Sequence, residues 1–136
     1  MKFPNFKFIR LFAVLISVPL FGFSQTGPGG VQQTNGTSNL VMWLDAGSLG
    51  LSDGSNVSSW SDLSGYGNNA SNSGSSRPKF NLSWENARPS VEFFNSSSDY
   101  LTIPNSSSTQ FDKHTIFIIA DYTSSSDSWS PFIVKT

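Results

Sequence analysis

The acidic side chains are the first place to look for chemistry. A glycosidase needs two carboxyl groups flanking the scissile bond, and a strand presents two of them on one face only at a spacing of two residues. No acid of this chain stands two residues from another. The glutamates are Glu85 and Glu92, and the aspartates are Asp45, Asp53, Asp62, Asp99, Asp112, Asp121 and Asp127. Glu92 alternates with Val91 and Phe93 and reads as a solvent-facing strand residue. Hydrolysis through a serine needs a base beside the nucleophile, and the one histidine, His114, follows Lys113 at the entrance to an apolar run. One histidine and no cysteine cannot supply the ligands of a zinc site. The reading is a protein that is not an enzyme.

Two kinds of ligand fit the residue types that remain. Oxygen donors suffice for calcium, and Asp45, Asp53, Asn56, Asp62, Asn68 and Asp99 all lie in turns or at strand ends. Asp45 and Asp62 are the candidate ligands, set against the usual work of a turn aspartate, which is to hold backbone N–H groups. Sugars are gripped by exposed aromatic faces with Asn, Asp and Ser reaching the hydroxyls. Tyr66, Trp84, Tyr122 and Trp129 lie in or beside polar segments and are the candidate contacts. Trp43 and Trp60 sit in strand-like patterns and read as core; for Trp84 and Trp129 packing inside the fold is the alternative.

These side chains have to be placed by short strands. Of 136 residues 27 are Ser, 11 Asn, 8 Thr and 11 Gly, while the Ile and Phe residues gather in short clusters. That balance suits strands between long polar loops. Leu40-Val41-Met42-Trp43-Leu44 is expected to be a strand buried on both faces, and Val57 to Leu63 a short one. Ser64 to Ser76 reads as loop. Phe80, Leu82 and Trp84 alternate with polar residues, as do Val91 and Phe93, which predicts two strands with these side chains inward. Tyr100 to Ile103 ends at Pro104, Thr115 to Ala120 is expected to be the central strand of a sheet, and Pro131 opens a last run. No window carries the three-four spacing of an amphipathic helix. The expected fold class is all-β.

The first ten residues hold three cations and no acid, and the apolar run Leu11 to Phe23 is too short to span a bilayer. Residues 1–24 therefore read as a signal peptide cleaved after Ser24, with no membrane span left afterwards. The remainder carries five Lys and Arg against nine acids, net −4, which leaves no basic face for nucleic acid. Residues 25–38 read as a flexible lead-in, and 39–136 as the domain, whose last apolar run has no closing turn and suggests that a C-terminal remainder is missing.

Three segments in order carry a resemblance. Asn39 to Ala46, then Trp60-Ser61-Asp62-Leu63-Ser64-Gly65-Tyr66-Gly67-Asn68-Asn69-Ala70, then Arg77-Pro78, Val91-Glu92-Phe93 and Asp99-Tyr100-Leu101 resemble the N-terminal part of bacterial laminin-G-like, concanavalin A-like lectin/glucanase domains. The lead-in Gln25 to Val31 resembles the start of mature surface proteins of the Bacteroidetes lineage, many of them exported by the type IX system. The resemblance implies an antiparallel two-sheet jelly-roll sandwich, incomplete in this chain, and a secreted or cell-surface module that binds glycans or other surface ligands in adhesion. Some members carry calcium. A structural spacer, or the first half of a polysaccharide-degrading enzyme with its acids beyond residue 136, are the alternatives. Within the Trp60 to Asn68 segment the residues have their own reading: Trp60 packs inward, Asp62 and Ser64 hold backbone N–H groups of a turn, and Gly65 and Gly67 supply positive φ. Ligand contact is the competing role.

Overall fold

The computed structural model describes residues 25–110, 112–121 and 134. The signal segment, Tyr122, Trp129 and the start of the last apolar run lie outside the described residues. Among the described residues four short strands form two antiparallel pairs: β1 (Ser59–Trp60) with β2 (Ala70–Ser71), and β3 (Lys79–Asn81) with β4 (Ser90–Glu92). No α-helix occurs among the described residues, whose only helical elements are three-residue 3-10 turns.

One stretch of backbone joins the two pairs. Gly54 N–H donates to the Phe80 carbonyl, Phe80 N–H to Ser55 and Val57 N–H to Pro78, each at 2.8 Å, so residues 54–57 run alongside β3. The same chain then turns its other edge to β2: Asn72 N–H donates to the Ser58 carbonyl at 3.0 Å, and Ser59 faces Ser71. On the far side of β2, Ser71 and Thr102 exchange both backbone bonds at 2.9 Å. The hydrogen-bonded order is therefore β4, β3, the 54–60 stretch, β2 and Thr102, antiparallel throughout.

Period-two alternation decides what this array buries. Val57, between exposed Asn56 and Ser58, is completely buried; Phe80, between Lys79 and Asn81, is 2% exposed. Ala70 and Pro78 complete the buried apolar side chains among the described residues, and besides Gly27 the other buried residues are polar: Ser64, Asn68 and Asn72. An interior with so few apolar side chains must draw on its polar groups for order, and each of those three is hydrogen-bonded.

Several expected strands are shorter than their apolar runs or lie outside the ladder. β3 stops at Asn81 because the next donors are taken by side chains: Leu82 N–H goes to Asp53 Oδ1 at 2.8 Å and Ser83 N–H to Asn81 Oδ1 at 3.1 Å. The chain then enters a 3-10 turn at Glu85–Ala87 with left-handed Asn86 and Ala87. Leu82 and Trp84 consequently face out, 53% and 39% exposed, and Phe93 beyond β4 is also exposed. Leu40 to Leu44 is half-buried and belongs to no strand, being tied through Trp43 to residues 62 and 63 and through the Val41 carbonyl to the Asn68 side chain. Conversely, the 64–76 connection contains β2.

Thr115 to Ala120 corrects the expectation of a central strand. Among the described residues nothing pairs with it, and Phe117 and Ile119 stand almost fully in solvent, because the hydrogen-bonded array ends at Thr102. Four consecutive large apolar side chains in solvent make an association surface. The double substitution Phe117→Lys plus Ile119→Lys is expected to lower self-association of the full chain severalfold in light scattering while leaving the unfolding midpoint unchanged. Unaltered scattering would show that the run does not drive self-association. No helix among the described residues is long and apolar enough to cross a membrane.

Candidate functional site

The densest polar cluster is built around Asp62, just after β1. Its Oδ1 accepts from Trp43 N–H and Ser64 N–H, both at 2.9 Å; its Oδ2 accepts from Ser64 Oγ at 2.7 Å and Asn68 N–H at 2.9 Å. Its own N–H donates to Asn69 Oδ1 at 2.8 Å. Burial raises the carboxyl's pKa, but the bonds from Ser64, Trp43 and Asn68 outweigh it and hold the group below its ordinary value of 3.8. Both glycines of this turn adopt positive φ, and at Gly65 the reason is also steric: a Cβ there would stand 2.5 Å from the Gly36 nitrogen. Gly36 N–H in turn donates to the Ser64 carbonyl, and Tyr66 Oη to the Ser38 carbonyl at 2.8 Å. The segment 33–38 is thus seated on the turn.

Asn68, 3% exposed, carries the cluster to the opposite end of the sequence. Its Nδ2 donates to the Val41 carbonyl at 2.7 Å and to Ser108 Oγ at 2.9 Å, while its Oδ1 accepts from Ser106 Oγ at 2.8 Å. Ser106 and Ser108 are therefore packed against the Asp62 turn.

This geometry decides what the candidate calcium ligands can do. A cation at Asp62 would have to displace four donors that already satisfy its two oxygens. Asp45 caps a 3-10 turn through Gly47 N–H at 2.8 Å. Among the described residues no group of three or more His, Asp and Glu side chains gathers where an ion could sit. Asp45 and Asp62, held by these backbone and hydroxyl donors, do not fit the role of calcium ligands.

The arrangement that can receive a ligand lies across β2. Ser71 faces Thr102 across an antiparallel bridge, and Ser73 and Tyr100 lie beside them. With Ser58 and Asn72 they line an open cleft of about 380 Å³. Asn72 braces it from behind, donating to the Ser76 carbonyl at 2.6 Å and the Tyr100 carbonyl at 3.0 Å and accepting from Gly74 N–H at 2.7 Å. The hydroxyls of Ser58, Ser71, Ser73, Thr102 and Tyr100 make no hydrogen bond to any described residue, and Tyr100 is 55% exposed.

Of the four aromatic candidates, Tyr66 is half-buried with its hydroxyl engaged, and Trp84 is exposed but away from this cleft; Tyr122 and Trp129 lie outside the described residues. Trp43 and Trp60 are half-buried. Residue typing misses Tyr100, although its place in an expected strand two residues before Thr102 is the signal that could have found it. It also passes over Gly50-Leu51-Ser52-Asp53-Gly54, which has the Gly-x-Ser-x-Gly spacing of a nucleophile elbow. The elbow requires a strand before it and a helix after it; here the pentapeptide is a turn, closed by Ser55 N–H on the Ser52 carbonyl, with neither element beside it. The chain matches no family model, no curated protein and no solved structure.

Proposed function

We propose that this chain is a secreted, non-catalytic module of a larger surface protein, built on a jelly-roll sandwich of the lectin-like kind, which recognises a glycan on cell surfaces or in their surroundings. The observation that carries the reading is the neutral cleft over β2: an exposed tyrosine ring beside four aliphatic hydroxyls with no protein partner among the described residues. A sugar ring offers an apolar face and a rim of hydroxyls that both donate and accept. The tyrosine face stacks on the first, and Ser58, Ser71, Ser73 and Thr102, each able to donate and accept, meet the second. No ionised side chain lines the cleft, so a neutral sugar enters without burying an unpaired charge.

The test is a glycan array followed by titration of the strongest neutral hit. Tyr100→Ala is expected to weaken binding roughly tenfold, the value of about 1.4 kcal/mol for a lost stacking contact, whereas Tyr100→Phe retains most of it. An array without hits, or a hit indifferent to Tyr100→Ala, removes the reading and leaves a structural spacer.

A further inference from the structure

A second cleft, of about 350 Å³, lies at the other end of the array and has a different chemistry. It is lined by Asp53, Lys79, Asn81, Glu92 and Phe94. Lys79 and Glu92 are direct cross-strand partners, which places both on the face opposite buried Phe80, yet no ion pair or hydrogen bond joins their side chains. Asp53 uses Oδ1 to hold Leu82 N–H, and its other oxygen has no partner among the described residues. Asn81 is engaged only through its oxygen, by Ser83 N–H, which leaves its two amide donors without a partner. Phe94 is 40% exposed at the rim, two residues beyond Glu92 on the same side.

Charge selects the ligand. Two carboxylates against one ammonium make the cleft net −1, so an anion drawn to Lys79 meets Asp53 and Glu92, whereas a cation finds two carboxylates and the face of Phe94. We propose that this cleft binds a ligand carrying a protonated primary amine, and specifically, resting on the glycan-binding reading above, an amino sugar whose amine is free and not acetylated. Its ammonium group sits between the Glu92 and Asp53 carboxylates and against the Phe94 ring. Lys79 and Asn81 donate to its neighbouring hydroxyls. Acetylation removes the charge that the carboxylates attract.

Calorimetric titration of the full chain at mildly acidic pH, with a fully deacetylated glucosamine tetramer and with its N-acetylated counterpart, tests this. The free amine is expected to bind roughly tenfold tighter, a preference that shrinks as salt is added. Glu92→Gln should abolish the preference while leaving binding of a neutral oligosaccharide unchanged. Equal affinity for the two tetramers, or a preference that survives Glu92→Gln, overturns the proposal; the comparison of tetramers needs no variant and stands even if the substitution impairs folding. Neutral-sugar binding that is sensitive to Tyr100→Ala, without any amine preference, defeats this inference and leaves the first reading intact. An amine preference without Tyr100-sensitive binding does the reverse.

Discussion

Phe80→Ala is expected to remove about 3 to 5 kcal/mol of stability, against a usual total of 5 to 15 kcal/mol for a folded domain. Phe80 is the largest fully buried side chain among the described residues; its N–H and carbonyl both bond the 54–55 stretch, and Val91 of β4 faces it from the other side. Its removal leaves a cavity, and the other buried apolar side chains among the described residues, Val57, Ala70 and Pro78, are all smaller than the ring that is lost. The loss reaches function, because Lys79 and Asn81 of the charged cleft flank Phe80 in the same three-residue strand. Urea unfolding followed by tryptophan fluorescence should show the midpoint falling by several molar units, at a slope of roughly 1 kcal/mol/M for a domain of this size. Phe80→Leu, which refills most of the volume, should cost about 1 to 2 kcal/mol. A midpoint unchanged by Phe80→Ala would mean that Phe80 does not organise the interior.

What could be read from the sequence follows from how local each signal is. The turn around Asp62 was legible because its cause lies within a few residues: an aspartate, a serine two residues on, and glycines where positive φ is needed. Its long-range partners, Trp43 and Ser106, carry no mark in their own surroundings. Phe80 inward with Asn81 outward was legible from alternation, but the strand's end was not, since it depends on Asp53 reaching Leu82 from 29 residues away. The same failure explains Leu82, Trp84 and Phe93, which continue the alternation in sequence after the ladder has stopped. Apolar density misled at Thr115 to Ala120, where a run that would suit a central strand has no partner among the described residues. Neither cleft is legible in the sequence, for a compositional reason. With 27 serines in the chain, the three that line the neutral cleft differ from the rest only in where β2 and Thr102 place them. Glu92 and Asp53 stand 39 residues apart and meet only through the pairing of residues 54–57 with β3.

Asp62→Ala is expected to cost about 3 kcal/mol and to do so in a pH-dependent way. The carboxylate accepts four hydrogen bonds, and bonds to a charged group are each worth about 1.5 to 3 kcal/mol, but they share one acceptor and the freed donors partly reach water, so the values do not add. The loss spreads beyond the turn, because Trp43 and Asn68 are anchored by it and Asn68 anchors Ser106 and Ser108. The pH arm separates this electrostatic role from mere packing. The folded carboxyl titrates below 3.8, its ordinary value, so the folded state binds its proton less readily than the unfolded chain. Its contribution is therefore complete above about pH 3.8 and fades as pH falls through that value towards the lower folded pKa. Asp62→Asn keeps the shape, retains one accepting oxygen and turns an amide towards the donors Ser64 Oγ and Asn68 N–H, so it should be less stable than the parent at neutral pH. In strong acid, where the parent carboxyl is itself protonated, the two should converge. Urea midpoints of the parent and of Asp62→Asn, measured from pH 7 down to pH 2, read this directly. A gap that stays constant over the whole range would show that Asp62 acts by shape alone, and a gap that widens in acid would reverse the sign of the argument.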